Sequence, residues 1–325
     1  MTQASQTRAF VFPGQGSQAV GMGQALAESF AVAREVYEEV DDALSQSLWR
    51  LMREGPAETL TLTENAQPAL MAVSMAVARV LEREGGLSLA DEARFVAGHS
   101  LGEYSALAAA GTFSLADTAR LLKARGQAMQ RAVPVGQGAM AALLGLDVDA
   151  ARAIAAEVAG DRVCTAANDN APGQVVVSGH TEAVKLAVEV AAGRGAKRAV
   201  MLPVSAPFHC ALMAPAAEAM REALADVAMA PPAPPLVANV LASDVTDPEE
   251  IRVRLIEQVT GAVRWRESVL FMRDQGVETL VELGSGKVLS GLAKRIDRSL
   301  NGVAVETPAG VEAFLKTVQA PHREL

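Results

Sequence analysis

The chain has 325 residues and is 50% hydrophobic but only 4% aromatic, so its interior must be built from Ala, Val, Leu and Met, as when helices pack on a sheet. A net charge of −9, with no Lys- and Arg-rich run interleaved with aromatics, argues against a nucleic-acid partner. No apolar run approaches membrane-spanning length, residues 9–12 are too short a stretch for a signal-peptide core, and the distant Cys164 and Cys210 form no metal or redox spacing, so a cytoplasmic protein with no membrane association is expected.

In chain order, residues 8–12 read as a short strand, 13–18 as a loop, 22–40 and 66–83 as helices, and 93–97 as a buried strand ending at Gly98. Gly98-His99-Ser100-Leu101-Gly102 follows directly, and 103–110 reads as a helix stopped by Gly111. A helix over 115–131, ended by Pro134 and Gly136, comes next. From 138 onward the pattern is strand 139–146, helix 149–159, strands 163–167 and 174–178, helix 181–192 and strand 199–204, the split βαβ or ferredoxin-like order. A helix over 214–225, a proline-rich connector, a strand over 236–240 and a terminal strand over 279–283 complete the reading. The length favours two domains. The predicted class is α/β: a large α/β-hydrolase-like domain with a parallel sheet and a nucleophile elbow over 1–133 and 205–325, and an inserted ferredoxin-like lid domain over 134–204.

The chemistry centres on Ser100. In G-x-S-x-G a strand turns sharply into a helix, the glycines let backbone pass close, and the serine oxygen is pushed out above the sheet edge. The Leu101 amide, at the helix start, can donate to an oxyanion there. A serine nucleophile needs a base. His209 follows a strand end and is preferred, whereas His99 precedes the nucleophile and is expected to point away from its solvent face. The acids between them in sequence, Asp117, Asp147, Asp149, Asp161 and Asp169, qualify by position only, which leaves open a Ser–His dyad oriented by a backbone carbonyl. The glycines at 14, 16, 21 and 23 miss the dinucleotide spacing, because Ala19 stands where a glycine is needed; the loop can present the Gln15 amide to an oxyanion instead. Gly284-Ser285-Gly286-Lys287 reads as a tight turn before a helix, since Val281 and Val288 break the phosphate-loop pattern.

Taken in order, Gly14-Gln15-Gly16-Ser17-Gln18, Gln67-Pro68-Ala69-Leu70, Gly98-His99-Ser100-Leu101-Gly102-Glu103, Arg125, Asn168 with Gln174-Val175-Val176-Val177-Ser178-Gly179, Pro207-Phe208-His209 and Gly286-Lys287-Val288-Leu289 resemble the malonyl-CoA:acyl-carrier-protein transacylases of fatty-acid synthesis, from residue 10 to about 297. The resemblance implies that malonyl-CoA acylates Ser100, that His209 is general base and acid, and that Arg125 holds the malonyl carboxylate. It also implies an oxyanion hole from the Gln15 and Leu101 amides, a histidine oriented by the Gln258 carbonyl, and a pocket lined by Gln67, Asn168 and Asn170. Phe208 becomes a wall against branched substrates. Gly284-Ser285-Gly286 stands where the family usually has Gly-Pro-Gly, and Cys210 where serine is common.

A buried Arg125 needs an anionic partner, which suits a malonyl site and not a hydrolase of neutral esters. The partners implied are malonyl-CoA, as substrate, and a holo acyl carrier protein bearing its own phosphopantetheine, with no resident cofactor or metal and a monomeric enzyme. Lys287, Lys294, Arg295 and Arg298, or Lys197 and Arg198, are candidate docking faces for the carrier. A free-standing polyketide acyltransferase, a serine hydrolase or thioesterase and a non-catalytic binding module are the rival readings.

Overall fold

The computed structural model describes residues 7–204 and 206–319. The stretches 1–6 and 320–325 and residue 205, all assigned above to the larger domain, lie outside the described residues.

The strands, in chain order, are β1 (Arg8–Phe12), β2 (Phe95–Gly98), β3 (Gly138–Leu144), β4 (Cys164–Ala171), β5 (Gln174–His180), β6 (Arg198–Met201), β7 (Leu236–Val237), β8 (Asp244–Val245), β9 (Thr279–Leu283) and β10 (Asn301–Val305). They form two sheets, giving a mixed α/β architecture. The first has the order β10-β9-β1-β2-β7-β8 and is parallel except for the β7–β8 pair. The second has the order β4-β5-β3-β6 and is antiparallel throughout.

β1 explains how the first sheet is held. All of Ala9 to Phe12 is buried, and alternate side chains enter different cores: Phe10 and Phe12 join one with the helix Thr63–Arg83, while Ala9 and Val11 join another with Trp265, Val269 and Leu292. A strand apolar on both faces belongs at the centre of a covered parallel sheet, where β1 lies. The antiparallel sheet has its own core, where Ala141, Leu143, Val175 and Val177 meet Ile154, Ala155, Ala183 and Ala187 of the helices Val148–Ala159 and Thr181–Gly193.

β4 also ties the antiparallel sheet to the segment around Val263 and Arg266. The Val263 amide donates to the Ala167 carbonyl (2.8 Å), the Asp169 amide donates to the Val263 carbonyl (3.0 Å), and Arg266 donates to the Asp169 carboxylate through Nε (3.0 Å) and Nη2 (2.7 Å).

Several boundaries differ from the sequence reading for local reasons. The helix expected over 22–40 is two, Gln24–Ser29 and Ala31–Leu44, broken at the extended Phe30. β4 runs to Ala171, with irregular register on β5 that carries Asn168 and Asn170 into the sheet. The strand expected over 199–204 stops at Met201, and the one expected over 236–240 stops at Val237 because the chain turns at Ala238 and Asn239. β9 is not terminal, since β10 pairs outside it. The cap of the helix Val148–Ala159 is Asp147, with Asp149 in the first turn.

Candidate active site

The turn after β2 is shaped by what its neighbours exclude. A Cβ on Gly98 would lie 1.9 Å from the Gly102 carbonyl carbon, and one on Gly102 would lie 2.2 Å from the Phe12 carbonyl oxygen. Ser100, between them, has φ 55°, a left-handed conformation that a residue with a Cβ adopts at a cost of about 1–3 kcal/mol. The helix Gly102–Ala109 starts directly behind it.

Ser100 Oγ lies 2.8 Å from Nε2 of His209, itself at φ 59° and 4% exposed. Nδ1 of His209 faces two carbonyl oxygens, those of Gln258 (2.8 Å) and Gly261 (3.1 Å). Carbonyls only accept, so Nδ1 carries the proton and Nε2 accepts the serine O–H. None of the five aspartates considered above fills the place of a triad acid. Asp169 is held by Arg266, Asp147 caps a helix, and Asp117 bonds Ser114. Burial, reinforced by the Arg125 charge, pushes the His209 imidazole down to about 3, so this ring is neutral at physiological pH and can accept a proton.

Arg125, from the helix Leu115–Ala132, is 1% exposed. Its Nη1 donates to Gln67 Oε1 (2.8 Å), and its Nη2 to Gln258 Oε1 (2.8 Å) and to Ser100 Oγ (3.1 Å). All three acceptors are neutral. A buried guanidinium is normally paired with a carboxylate, so a cation held among amide and hydroxyl oxygens beside a nucleophile is built to receive an anion. Gln67 continues the chain outward: its Nε2 donates to Thr63 Oγ1 (3.1 Å), which donates to Gln15 Oε1 (2.8 Å).

One cavity of about 410 Å³ is lined by Gln15, Gln67, Ser100, Leu101, Arg125, Asn168, Asn170, Phe208 and His209, with Met129, Met140, Val176 and Leu202 forming apolar wall. Gln258 sits behind it, and its main chain, Oε1 and Nε2 hold His209, Arg125 and the Ser100 carbonyl respectively. His99 lines the same cavity, contrary to the sequence reading. Its Nε2 is 2.8 Å from Asn170 Oδ1, because β4 crosses in front of the elbow. Sequence reasoning missed Asn239, whose carboxamide bonds the elbow, and gave no role to Glu103, which accepts the Asn239 amide (2.8 Å). A single Asn after an apolar strand carries no sequence signal. Among the described residues no group of three or more His, Cys, Asp or Glu side chains is arranged to hold a metal, and no helix is long and apolar enough to cross a membrane.

A serine hydrogen-bonded to a histidine, beside an arginine whose hydrogen-bond acceptors are all neutral, on the edge of a parallel sheet, is an arrangement chemically suited to serine acyl transfer with an acid-bearing acyl group, the class of an acyltransferase. The acyl transferase domain matches residues 9–312, and the chain belongs to that family of enzymes. Among its relatives, the malonyl CoA-acyl carrier protein transacylase of Escherichia coli strain K12 is 48% identical over 309 residues, covering 95% of this chain and 98% of the relative. That of Bacillus subtilis strain 168 is 45% identical over 312 residues, covering 96% and 97%. The crystal structure of an acyl-carrier-protein-S-malonyltransferase from Bartonella henselae superimposes with a TM-score of 0.94 at 58% identity, covering 96% of this chain and 99% of that one. A malonyl-transacylase solved in complex with its type II PKS acyl-carrier protein reaches 0.93 at 43% identity, covering 96% and 100%.

Proposed function

We propose that this enzyme transfers the malonyl group of malonyl-CoA to the phosphopantetheine thiol of a holo acyl carrier protein, through a malonyl ester on Ser100, in fatty-acid biosynthesis. The observation that carries the substrate is the buried Arg125, whose Nη2 is 3.1 Å from the nucleophile and whose partners are all neutral. The malonyl carboxylate replaces the amide oxygens of Gln67 and Gln258 as its partner, as a charge-assisted bidentate pair.

Ser100 Oγ attacks the thioester carbonyl as its proton passes to His209 Nε2, and the Gln15 and Leu101 amides stabilise the oxyanion. Collapse breaks the C–S bond, and CoA leaves with the proton from Nε2. The carrier's thiol then gives its proton to Nε2 and attacks the ester, and Ser100 recovers the proton as it departs. The imidazolium formed midway is stabilised by the Gln258 and Gly261 carbonyls, in place of a triad acid. Phe208 is the wall facing the malonyl α-carbon, and Asn168 and Asn170 close the lid side.

No step calls for a resident cofactor or metal. The free thiols of Cys164 and Cys210 support a cytoplasmic setting, and one chain supplies the whole site, which supports a monomer. The strands of the antiparallel sheet all fall between Gly138 and Met201, which supports a small domain over 134–204 inserted between 1–133 and 205–325. Their sheet order is that of a ferredoxin-like unit, and the positive-φ serine after β2 is the α/β-hydrolase-like element of the larger domain.

The test is intact-protein mass spectrometry of the enzyme and of Ser100→Ala, mixed with malonyl-CoA and then with holo carrier. A malonyl adduct that requires Ser100 and moves to the carrier is expected. No adduct, or one lost to water in preference to the carrier, makes the protein a hydrolase. The neighbour solved with a polyketide carrier favours a second reading, a free-standing polyketide acyltransferase, which would malonylate a polyketide carrier faster than a fatty-acid one.

A further inference from the structure

We infer that Asn239 is a positioning residue that sets the strained conformation of the nucleophile, an inference that rests on Ser100 being the acylated residue. Asn239 is fully buried in the turn after β7. Its Oδ1 accepts the Ser100 amide (2.8 Å) and its Nδ2 donates to the Gly98 carbonyl (2.7 Å). One carboxamide therefore bonds the backbone on both sides of His99, as a neighbouring strand would, at the point where the chain leaves the sheet and Ser100 takes φ 55°.

The bracket is itself anchored. The Asn239 amide donates to Glu103 Oε2 (2.8 Å), its carbonyl accepts the Arg264 amide (3.1 Å), and Gln258 Nε2, which donates to the Ser100 carbonyl (2.9 Å), stands 3.5 Å from Asn239 Oδ1. Ser100 is thus gripped at its amide by Asn239 and at its carbonyl by Gln258, while Oγ is left to His209 and Arg125. With its amide committed to Asn239, Ser100 cannot donate it to an oxyanion, which leaves that work to Gln15 and Leu101.

Asn239 touches neither substrate nor the cavity, so its loss should misplace Oγ without loosening malonyl binding to Arg125. Asn239→Leu keeps the volume and removes both side-chain bonds; Asn239→Asp keeps an acceptor for the Ser100 amide. In pre-steady-state acylation by malonyl-CoA, Asn239→Leu should lose on the order of 10–100-fold in the acylation rate, with the half-saturating malonyl-CoA concentration within about twofold of wild type, and Asn239→Asp should lose less. Inactivation by a small sulfonyl fluoride, which needs no malonyl site, should slow by a similar factor. A folded Asn239→Leu that acylates within about threefold of wild type, or a loss carried by weaker saturation, overturns the inference. Should that variant not fold, Asn239→Asp decides: a slower acylation at unchanged saturation supports the bracket, and a wild-type rate rejects it. Ser100→Ala run alongside separates the two readings, because an adduct persisting there refutes Ser100 as the acylated residue, whatever Asn239 does.

Discussion

Arg125 and His209 share one small volume, and each makes sense only in the presence of the other. The guanidinium lies against Ser100 Oγ, 3.1 Å away, where it lowers the cost of a developing alkoxide, yet its charge also helps burial hold His209 neutral. Replacing Arg125 by Ala should lower kcat/KM for malonyl-CoA by about 100- to 1,000-fold, the scale of a desolvated charge pair, while acetyl-CoA, which has no free carboxylate, should lose far less. Stopped-flow acylation with both thioesters checks this, and equal losses would remove Arg125 as the carboxylate partner. The pH profile is a second test. The proposed mechanism needs a neutral His209, and an imidazole pushed down to about 3 stays neutral at pH 5. Acylation kcat/KM, which reports the free enzyme, should therefore stay nearly flat from pH 8 to 5, where a histidine with its ordinary value near 6.5 would lose about thirtyfold. An acid limb centred near 6.5 would mean that the base is hydrated in solution.

At the scale of the elements, β4 does more than close a sheet. It places Asn168 and Asn170 in the cavity while Asp169, between them, points to Arg266. That ion pair and the two backbone bonds to Val263 tie the antiparallel sheet, along β4, to the segment around Val263 and Arg266. Asp169 is 4% exposed and Arg266 25%, so Asp169→Ala should destabilise the fold by about 2 kcal/mol, less than a fully buried pair would, and raise the malonyl-CoA KM several-fold as the asparagines lose register. Urea unfolding and steady-state kinetics measure the two effects, and an unchanged KM would separate the staple from the site. The β4 staple also shows why parts of the molecule could not be read from sequence. The Ser100 elbow was legible because glycine, serine and glycine are each required locally by sterics. The strand-helix-strand-strand-helix-strand run was legible because period and turn residues are local too. The extension of β4 through two polar asparagines, the inward turn of His99 and the bracketing by Asn239 depend on contacts between segments more than 70 residues apart, for which a single sequence has no signature. β10 is exposed from Asn301 to Ala304 and buries only Val305, so it lacks the continuous buried apolar run that marks β1 and gives no strand signal of its own.

For the molecule as a whole, the polar groups buried around the elbow make folding stability depend on pH in two opposing ways. Burial raises Glu103 to about 7, above the ordinary carboxyl value of 4.5, so the folded state holds a proton that the unfolded chain releases, and stability falls as pH rises from about 4.5 to about 7. His209 has the opposite sign. Its folded value of about 3 lies below the ordinary 6.5, so the unfolded chain takes up a proton that the folded state refuses, and stability falls as pH drops from about 6.5 toward 3. Between pH 5 and 6.5 the slopes of these two groups nearly cancel each other. Glu103→Gln keeps an oxygen for the Asn239 amide and removes the titration. Relative to this variant, wild type should lose about 1.4 kcal/mol of unfolding free energy per pH unit between pH 5 and 6.5, because the contributions of all other groups cancel in the difference. Urea denaturation of both proteins at pH 5 and 6.5 gives the double difference. A value near zero would mean that Glu103 is ionised inside the fold and pairs with the Arg125 charge across the elbow, so that Arg125 would have to part from an internal anion to take up the malonyl carboxylate.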